Sequence, residues 1–331
     1  MSNHSTYREA GVDISLESKA ISALVKNLSF RRKGQYPMMG NVGHFAGLID
    51  LGHLALALTV DGVGTKMLVA DRLRDWLTVG IDCMAMNVND LYVMNMEPVA
   101  FVDYIATGRL SVDQMAQIGI GLNEGARQAN VNIVGGETAS LRGLVNGLDL
   151  AGTCLGIQEK ENVIDGRKIR PGDLVVGLPS SGIHSNGLSL ARKIVESEDA
   201  WDTVLKNGRT IARELLHPTL IYSQVLSITE KTEVHGMCHV TGGGLLNFSR
   251  LTKYGFDFTD PLPPQEIFTW LQEHGKVETA EMYRTFNMGM GYAFVVPSGS
   301  EDPILSGVKG SRVVGSVNPD PGVRLKGVPI S

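Results

Sequence analysis

The sequence predicts an α/β (α+β) protein of two domains, and three observations carry that expectation. Short aliphatic or β-branched runs alternate with stretches of helical period along the whole chain. The 331 residues exceed what one hydrophobic core ordinarily serves. A polar, turn-rich stretch, Glu159 to Asp173 with Gly166 and Pro171-Gly172, divides the chain near its middle. The expected domains are therefore 1–165 and 166–331. A composition of 43% hydrophobic and 20% charged residues belongs to a soluble globular chain. The net charge of −5 gives no global field to attract nucleic acid, so any anion must be held by local devices. No apolar run approaches the roughly 20 residues that span a bilayer, and the polar start Met1 to Ser5 lacks a secretory core. A cytoplasmic location with no membrane partner is expected. Cys83, Cys154 and Cys238 lie far apart without C-x-x-C spacing, which predicts buried apolar side chains rather than a zinc site or disulfide framework.

Each element has its own signal. Leu16, Ala20, Leu24 and Leu28 recur every four positions and predict a helix over 16–28. The run 54–60 is a strand, followed by helical pattern from Met67 to Leu77. Ile81, Met84, Ala85, Val88 and Leu91 form the inner face of a helix from Ile81 to Tyr92, with Asn87 and Asp90 neighbours on one side. After a strand at 99–105 comes a helix capped by Ser111, with Gln114 completing the capping box and Leu110 stapled to Met115. Val131 to Val134 predicts a strand delivering Gly135-Gly136-Glu137-Thr138, and 148–157 is another. The second half restarts with a strand at 174–178, the loop Pro179 to Gly187 and a helix from Leu188. The stretch His239 to Gly244 precedes a helix through Leu251, and late strands fall at 292–296 and 313–317. Met84, Met86, Met94 and Met96 read as gap-filling core.

The chemistry concentrates at strand ends. Asp61-Gly62-Val63-Gly64-Thr65-Lys66 sets a carboxylate, exposed amides, a hydroxyl and an ammonium together, the groups that hold a metal-bound polyphosphate. It is not a Walker A loop, and taken alone it reads equally as a tight glycine turn. Asp61, Asp90 and Glu137 together could serve Mg²⁺ bridging to ATP, although singly each reads as a cap, a solvated helix face or a turn carboxylate. In Ser180 to Gly187, hydroxyls, an amide and the His184 imidazole precede a helix and suit a phosphate monoester, with His184 able to transfer a proton near neutral pH. His235 and His239 stand about 13 Å apart on a strand at ~3.3 Å per residue, too far to share one ion. His239 could still line a site beside the glycine triplet.

These motifs, with Ala10 to Ile14, Gly80-Ile81-Asp82, Asp103 to Gly108 and Met282 to Asn287, resemble in order and over nearly the whole chain the phosphoribosylformylglycinamidine cyclo-ligase family. The resemblance implies an N-terminal mixed sheet with helices (1–165) that binds ATP and pairs into a barrel across a homodimer. It implies a C-terminal α/β sandwich (166–331) that binds the substrate phosphate. The implied reaction is the ATP- and Mg²⁺-dependent cyclisation of formylglycinamidine ribonucleotide to 5-aminoimidazole ribonucleotide in de novo purine biosynthesis. Carried over by motif, Asp61, Asp90 and Glu137 hold the metal. Lys26, Gly62, Val63, Gly64, Thr65, Lys66 and Asn89 meet the nucleotide. Ser181, Gly182, His184, Ser185, Asn186 and Gly243 face the substrate, with Asp90, His184 and Lys66 acting in the chemistry. The chain departs from the family at Gly40 to Gly47, which is less glycine-rich, at Asn87 and Met288, where many members carry cysteine, and at Leu245-Leu246-Asn247. The rival expectations are another ATP-using enzyme of the same superfamily, of formylglycinamidine synthetase, selenophosphate synthetase or thiamine-monophosphate kinase type, or a non-catalytic nucleotide-binding module.

Overall fold

The computed structural model describes residues 10–11, 14–40 and 44–330. Six strands form the first sheet: β1 (Met38–Met39), β2 (Gly47–Leu51), β3 (Leu54–Gly62), β4 (Glu97–Thr107), β5 (Asn132–Ser140) and β6 (Leu148–Glu159). Their order is β1-β2-β3-β6-β4-β5, antiparallel except for the parallel pair β4–β5. The helices of this half are α1 (Ile14–Lys26), α2 (Lys66–Leu73), α3 (Val79–Val93) and α4 (Val112–Ala129). Helix α4 makes the crossover between β4 and β5, as a parallel pair requires. Its start is the expected one: Ser111 Oγ accepts from the Gln114 N–H at 3.4 Å. Helix α2 stops earlier than its sequence pattern, because Arg74 turns left-handed at φ 51° and bonds back to Ala70 and Asp71.

The second half holds a seven-stranded sheet made of β7 (Leu174–Pro179), β8 (Gly236–His239), β9 (Gly255–Phe258), β10 (Met290–Val296), β11 (Arg312–Asn318), β12 (Val323–Leu325) and β13 (Val328–Pro329). The order is β13-β12-β9-β11-β7-β10-β8, and β10, between β7 and the edge strand β8, is buried along its whole length. Helices α5 (Leu188–Ser197), α6 (Ile211–Leu215), α7 (Gln224–Thr229), α8 (Glu266–Gly275), α9 (Thr279–Thr285) and α10 (Asp302–Gly307) surround it. The structure is thus mixed α/β with two separate mixed sheets.

Three sequence expectations change. Gly135-Gly136-Glu137-Thr138 is not a strand-end loop, because β5 runs through it with Tyr104 opposite Glu137. Glycines hide the period-two pattern there, while pairing with β4 satisfies the backbone. The stretch after Gly243 is a 3₁₀ turn over Gly244–Arg250 rather than an α-helix. Helix α3 has no solvated face of note: Asp82, Asn87 and Asn89 are as buried as its aliphatic residues. Two helices cross above the first sheet at van der Waals limits. A Cβ on Gly80 would lie 2.2 Å from the Leu122 nitrogen, and one on Gly121 would lie 2.4 Å from the Leu77 carbonyl oxygen.

Candidate functional site

Helix α3 lies between the first sheet and the second half, and a segment of the second half runs along it. Asn89 Nδ2 donates to Leu220 O at 2.8 Å, and the Tyr222 N–H donates to Asn89 Oδ1 at 3.0 Å. Thr78 Oγ1 donates to Leu216 O at 3.1 Å. A single buried carboxylate, Asp82, ties the halves together. Its Oδ1 accepts from Lys66 Nζ (2.8 Å), Ser185 Oγ (3.0 Å), the Thr219 N–H (2.8 Å) and Thr219 Oγ1 (2.7 Å). Its Oδ2 is buried without a partner.

The hexapeptide at Asp61 spans a strand end, a turn and a helix start. Asp61 and Gly62 close β3, Gly64 supplies the left-handed turn (φ 65°), and Lys66 opens α2. Thr65 precedes α2 without a side-chain cap, and its Oγ1 lies 3.2 Å from Ser189 Oγ in the first turn of α5. Gly187 opens α5, likewise without a side-chain cap. Two uncapped helix N-termini therefore converge, a backbone arrangement that favours anions. Lys66, expected as a phosphate contact, is instead turned inward and wholly buried. Beyond Asp82, its ammonium donates to His217 O at 2.6 Å. Burial pulls its pKa down while Asp82 opposes that shift.

Asp61 projects to the helix-packed face of the sheet, in one cross-strand row with Gly152, Asp103 and Gly136. Burial, reinforced by the charge of Asp90, pushes its carboxyl up to about 6. Asp90 itself bonds through Oδ1 to His239 Nδ1 at 2.8 Å. Two carboxylates that repel each other fit a divalent cation, whose charge relieves the repulsion. Among the described residues no group of three or more His, Cys, Asp or Glu side chains is placed to hold a metal. A cation at Asp61 and Asp90 would thus need oxygens from a ligand, as Mg²⁺ with nucleotides usually does.

The loop after β7 is held rigidly. Ser180 Oγ donates to Asn287 Oδ1 (3.0 Å), Gln265 Nε2 to Ser180 O (2.7 Å), Asn287 Nδ2 to Gly182 O (2.8 Å) and Ser181 Oγ to Pro218 O (2.7 Å). The serine hydroxyls expected to meet a phosphate are already engaged inside the protein. What the loop still offers is backbone N–H groups at the start of α5. His184 sits at φ 60°, fully buried, with Nε2 accepting from the Ser181 N–H at 3.2 Å and Nδ1 unpartnered. Burial drives its pKa well below the usual histidine range, so the expected proton exchange near neutral pH is not available to it. Neutral, with Nε2 accepting, the ring carries its proton on Nδ1. Asn186 adjoins the glycine triplet, since a Cβ on Gly242 would lie 3.2 Å from Asn186 Oδ1.

Asp61, Asp90, Asn89, Thr65, His184, Ser185, Asn186 and the Gly242-Gly243 turn are thus gathered around α3 and the start of α5. Glu137 is not. Alternation places it with Tyr104 on the opposite, exposed face of the sheet from Asp61. Lys26 stands exposed in the last turn of α1, outside this set. Residues 41–43 of the Gly40 to Gly47 loop lie outside the described residues. Sequence reasoning missed the parts played by Asp82, Thr219 and Asn287, and it gave His239 no partner. Asp82 and Asn287 stood inside motifs already singled out, but only tertiary pairing shows what they hold.

Residues 43–158 match the model of the AIR synthase related protein, N-terminal domain, and residues 170–328 that of the AIR synthase related protein, C-terminal domain. The chain is 50% identical over 327 residues to the phosphoribosylformylglycinamidine cyclo-ligase of Methanosarcina barkeri, covering 98% of this chain and 97% of that one. It is 47% identical over 306 residues to the cyclo-ligase of Pyrococcus horikoshii, covering 91% and 90%. Among solved structures, tt0281 of Thermus thermophilus matches with a TM-score of 0.68 at 20% identity, covering 96% of this chain and 99% of that one. AaThiL, complexed with AMPPCP and TMP, matches at 0.67 and 15% identity, covering 96% of each. At such low identities these structures speak to the fold alone.

Proposed function

This chain belongs to the phosphoribosylformylglycinamidine cyclo-ligase family, and from that membership we infer how its own residues serve the ring closure. The enzyme is an ATP-dependent ligase of purine biosynthesis that turns formylglycinamidine ribonucleotide into 5-aminoimidazole ribonucleotide, ADP and phosphate. The observation that carries this function is the full-length likeness to cyclo-ligases at about half identity. The formyl amide oxygen is a poor leaving group. Transfer of the γ-phosphoryl group onto it creates a phosphate leaving group, which the amidine nitrogen displaces as it attacks the formyl carbon and closes the ring.

The helix N-termini that meet at Thr65 and Ser189 supply fixed N–H donors for phosphate oxygens, so the transferring group would sit between the halves. Gly62, Val63, Gly64, Thr65 and Asn89 line the nucleotide side of this clasp. Ser181, Gly182, His184, Ser185, Asn186 and Gly243 line the substrate side, offering backbone groups, while the sealed His184 ring fixes the loop through the Ser181 N–H. Asp61 and Asp90 would hold Mg²⁺, which when bound neutralises phosphate charge. Lys66 serves through Asp82, fixing the clasp against the His184 loop rather than touching phosphate. Lys26 on the nucleotide side and Glu137 as a further metal carboxylate fit a site shared between two copies.

A cytoplasmic homodimer completes the proposal, with 1–165 as the ATP-binding and dimerisation domain and 166–331 as the substrate-phosphate domain. The support for it is the outer face of the first sheet, where Leu58, Val60, Val102 and Tyr104 form an exposed apolar surface. No helix among the described residues is long and apolar enough to cross a membrane. Incubating the purified protein with Mg²⁺, ATP and formylglycinamidine ribonucleotide should yield ADP and aminoimidazole product in equal amounts. ADP without imidazole, or phosphorylation of thiamine monophosphate instead, would place the chain with one of its structural neighbours.

A further inference from the structure

We propose that His239 is a positioning residue that aims the Asp90 carboxylate, so that the C-terminal half sets the orientation of a ligand belonging to the N-terminal half. The proposal rests on Asp90 being a cation ligand, as inferred above. Its geometric basis is a hydrogen-bond chain in which every donor is assigned. The Asn89 amide is oriented from both ends, its Oδ1 accepting from the Tyr222 N–H at 3.0 Å and its Nδ2 donating to Leu220 O at 2.8 Å. The atom 3.4 Å from His239 Nε2 is therefore a donor, which leaves Nε2 as acceptor. The imidazole proton then lies on Nδ1 and is donated to Asp90 Oδ1 at 2.8 Å.

Burial separates the two roles. The His239 side chain is 1% exposed, whereas that of Asp90 keeps 19%. One carboxylate oxygen is tethered inward while the group keeps part of its surface exposed. The histidine backbone has no freedom to follow a wandering carboxylate, because β8 pairs it with Tyr292 and the Val240 N–H donates to Gly291 O at 3.0 Å. The next residues are Thr241 and the Gly242 to Gly244 turn beside Asn186. The substrate-side turn and the Asp90 tether are thus consecutive in one chain segment. Outer-shell partners of this kind typically change metal affinity by about 10–100-fold when removed.

The amide geometry of the substitutions supplies the test. In His239→Asn the Nδ2 donor stands where Nδ1 stood, whereas in His239→Gln the donor moves one carbon outward. Binding of Mn²⁺ in the presence of ADP, read by the loss of free-ion EPR signal, is expected to weaken about tenfold or more in His239→Gln and to stay within about twofold of wild type in His239→Asn. Melting in EDTA should be the same for both variants. Equal binding in the two variants, whether both normal or both impaired, overturns the positioning role. Asp90→Asn separates the premise from the inference. Unchanged Mn²⁺ binding there removes Asp90 as a ligand, whereas weakened binding there with normal His239→Gln removes only His239. A variant-free measurement backs these up: the imidazole ¹⁵N spectrum of the wild-type protein should show His239 protonated on Nδ1, and protonation on Nε2 contradicts the proposal.

Discussion

His184 occupies a left-handed backbone conformation that bulky residues avoid, and its ring is sealed from water. An exposed histidine titrates near 6.5, but burial holds this one well below that value. The unfolded chain therefore takes up the proton first as the pH falls. Stability from the neutral ring is intact above 6.5 and declines below it, by about 1.4 kcal/mol per pH unit until the folded value is reached. Asparagine tolerates the same backbone conformation. Urea unfolding of His184→Asn should thus lose about 1 kcal/mol less than wild type between pH 7.5 and 5.5. His44 and His217 are shifted in the same direction in both proteins and cancel in the difference. Parallel pH profiles would show that His184 is not sealed. Residue types at this site were legible because Asp61 and His184 sit beside glycines and helix starts, and Asp90 beside the amides Asn87 and Asn89. The inward turn of Lys66 was not, since it depends on Asp82, Ser185 and Thr219 arriving from elsewhere in the chain.

The crossing of α3 and α4 shows why elements are easier to read than their contacts. Ser111 and Gln114 announced the start of α4 in the sequence, and the cap forms as expected. Gly80 and Gly121 carried no such announcement, yet they permit the approach of the two backbones. Gly121→Ala would drive a methyl group to 2.4 Å from a carbonyl oxygen, so the helices must part. Thermal or urea unfolding should show a loss above ~2 kcal/mol, against about 1 kcal/mol for Ser111→Ala. A neutral Gly121→Ala would mean that the crossing is looser than described. Strand β5 was misread at its end for a related reason: three of its residues, Gly135, Gly136 and Ala139, are too small to display alternation, and only the register with β4 reveals it.

At the scale of the molecule, the two sheets present different outer surfaces. The second is covered on both faces along β10, which is buried throughout. The first leaves Val60 76% exposed, in a cross-strand row with Thr153 and Val102. Burial of such a face by a second copy would also put Glu137, which shares it, at the interface. Val60→Glu should lower the sedimenting mass from twice the 35.7 kDa of the chain to that of one chain. An unchanged mass would place the interface elsewhere. A count of two domains followed from chain length and the turn-rich stretch at 159–173, but the way α3 bridges the halves rests on contacts between residues more than 100 positions apart.

The central claim is that the cleft between the halves moves a phosphoryl group onto the formyl oxygen before the ring closes. Turnover of formylglycinamidine ribonucleotide carrying ¹⁸O in its formyl group tests this directly, with mass spectrometry of the phosphate released. One labelled oxygen in each phosphate, matched by one imidazole formed, is the predicted result. Phosphate without the label, accompanied by imidazole product, would contradict it.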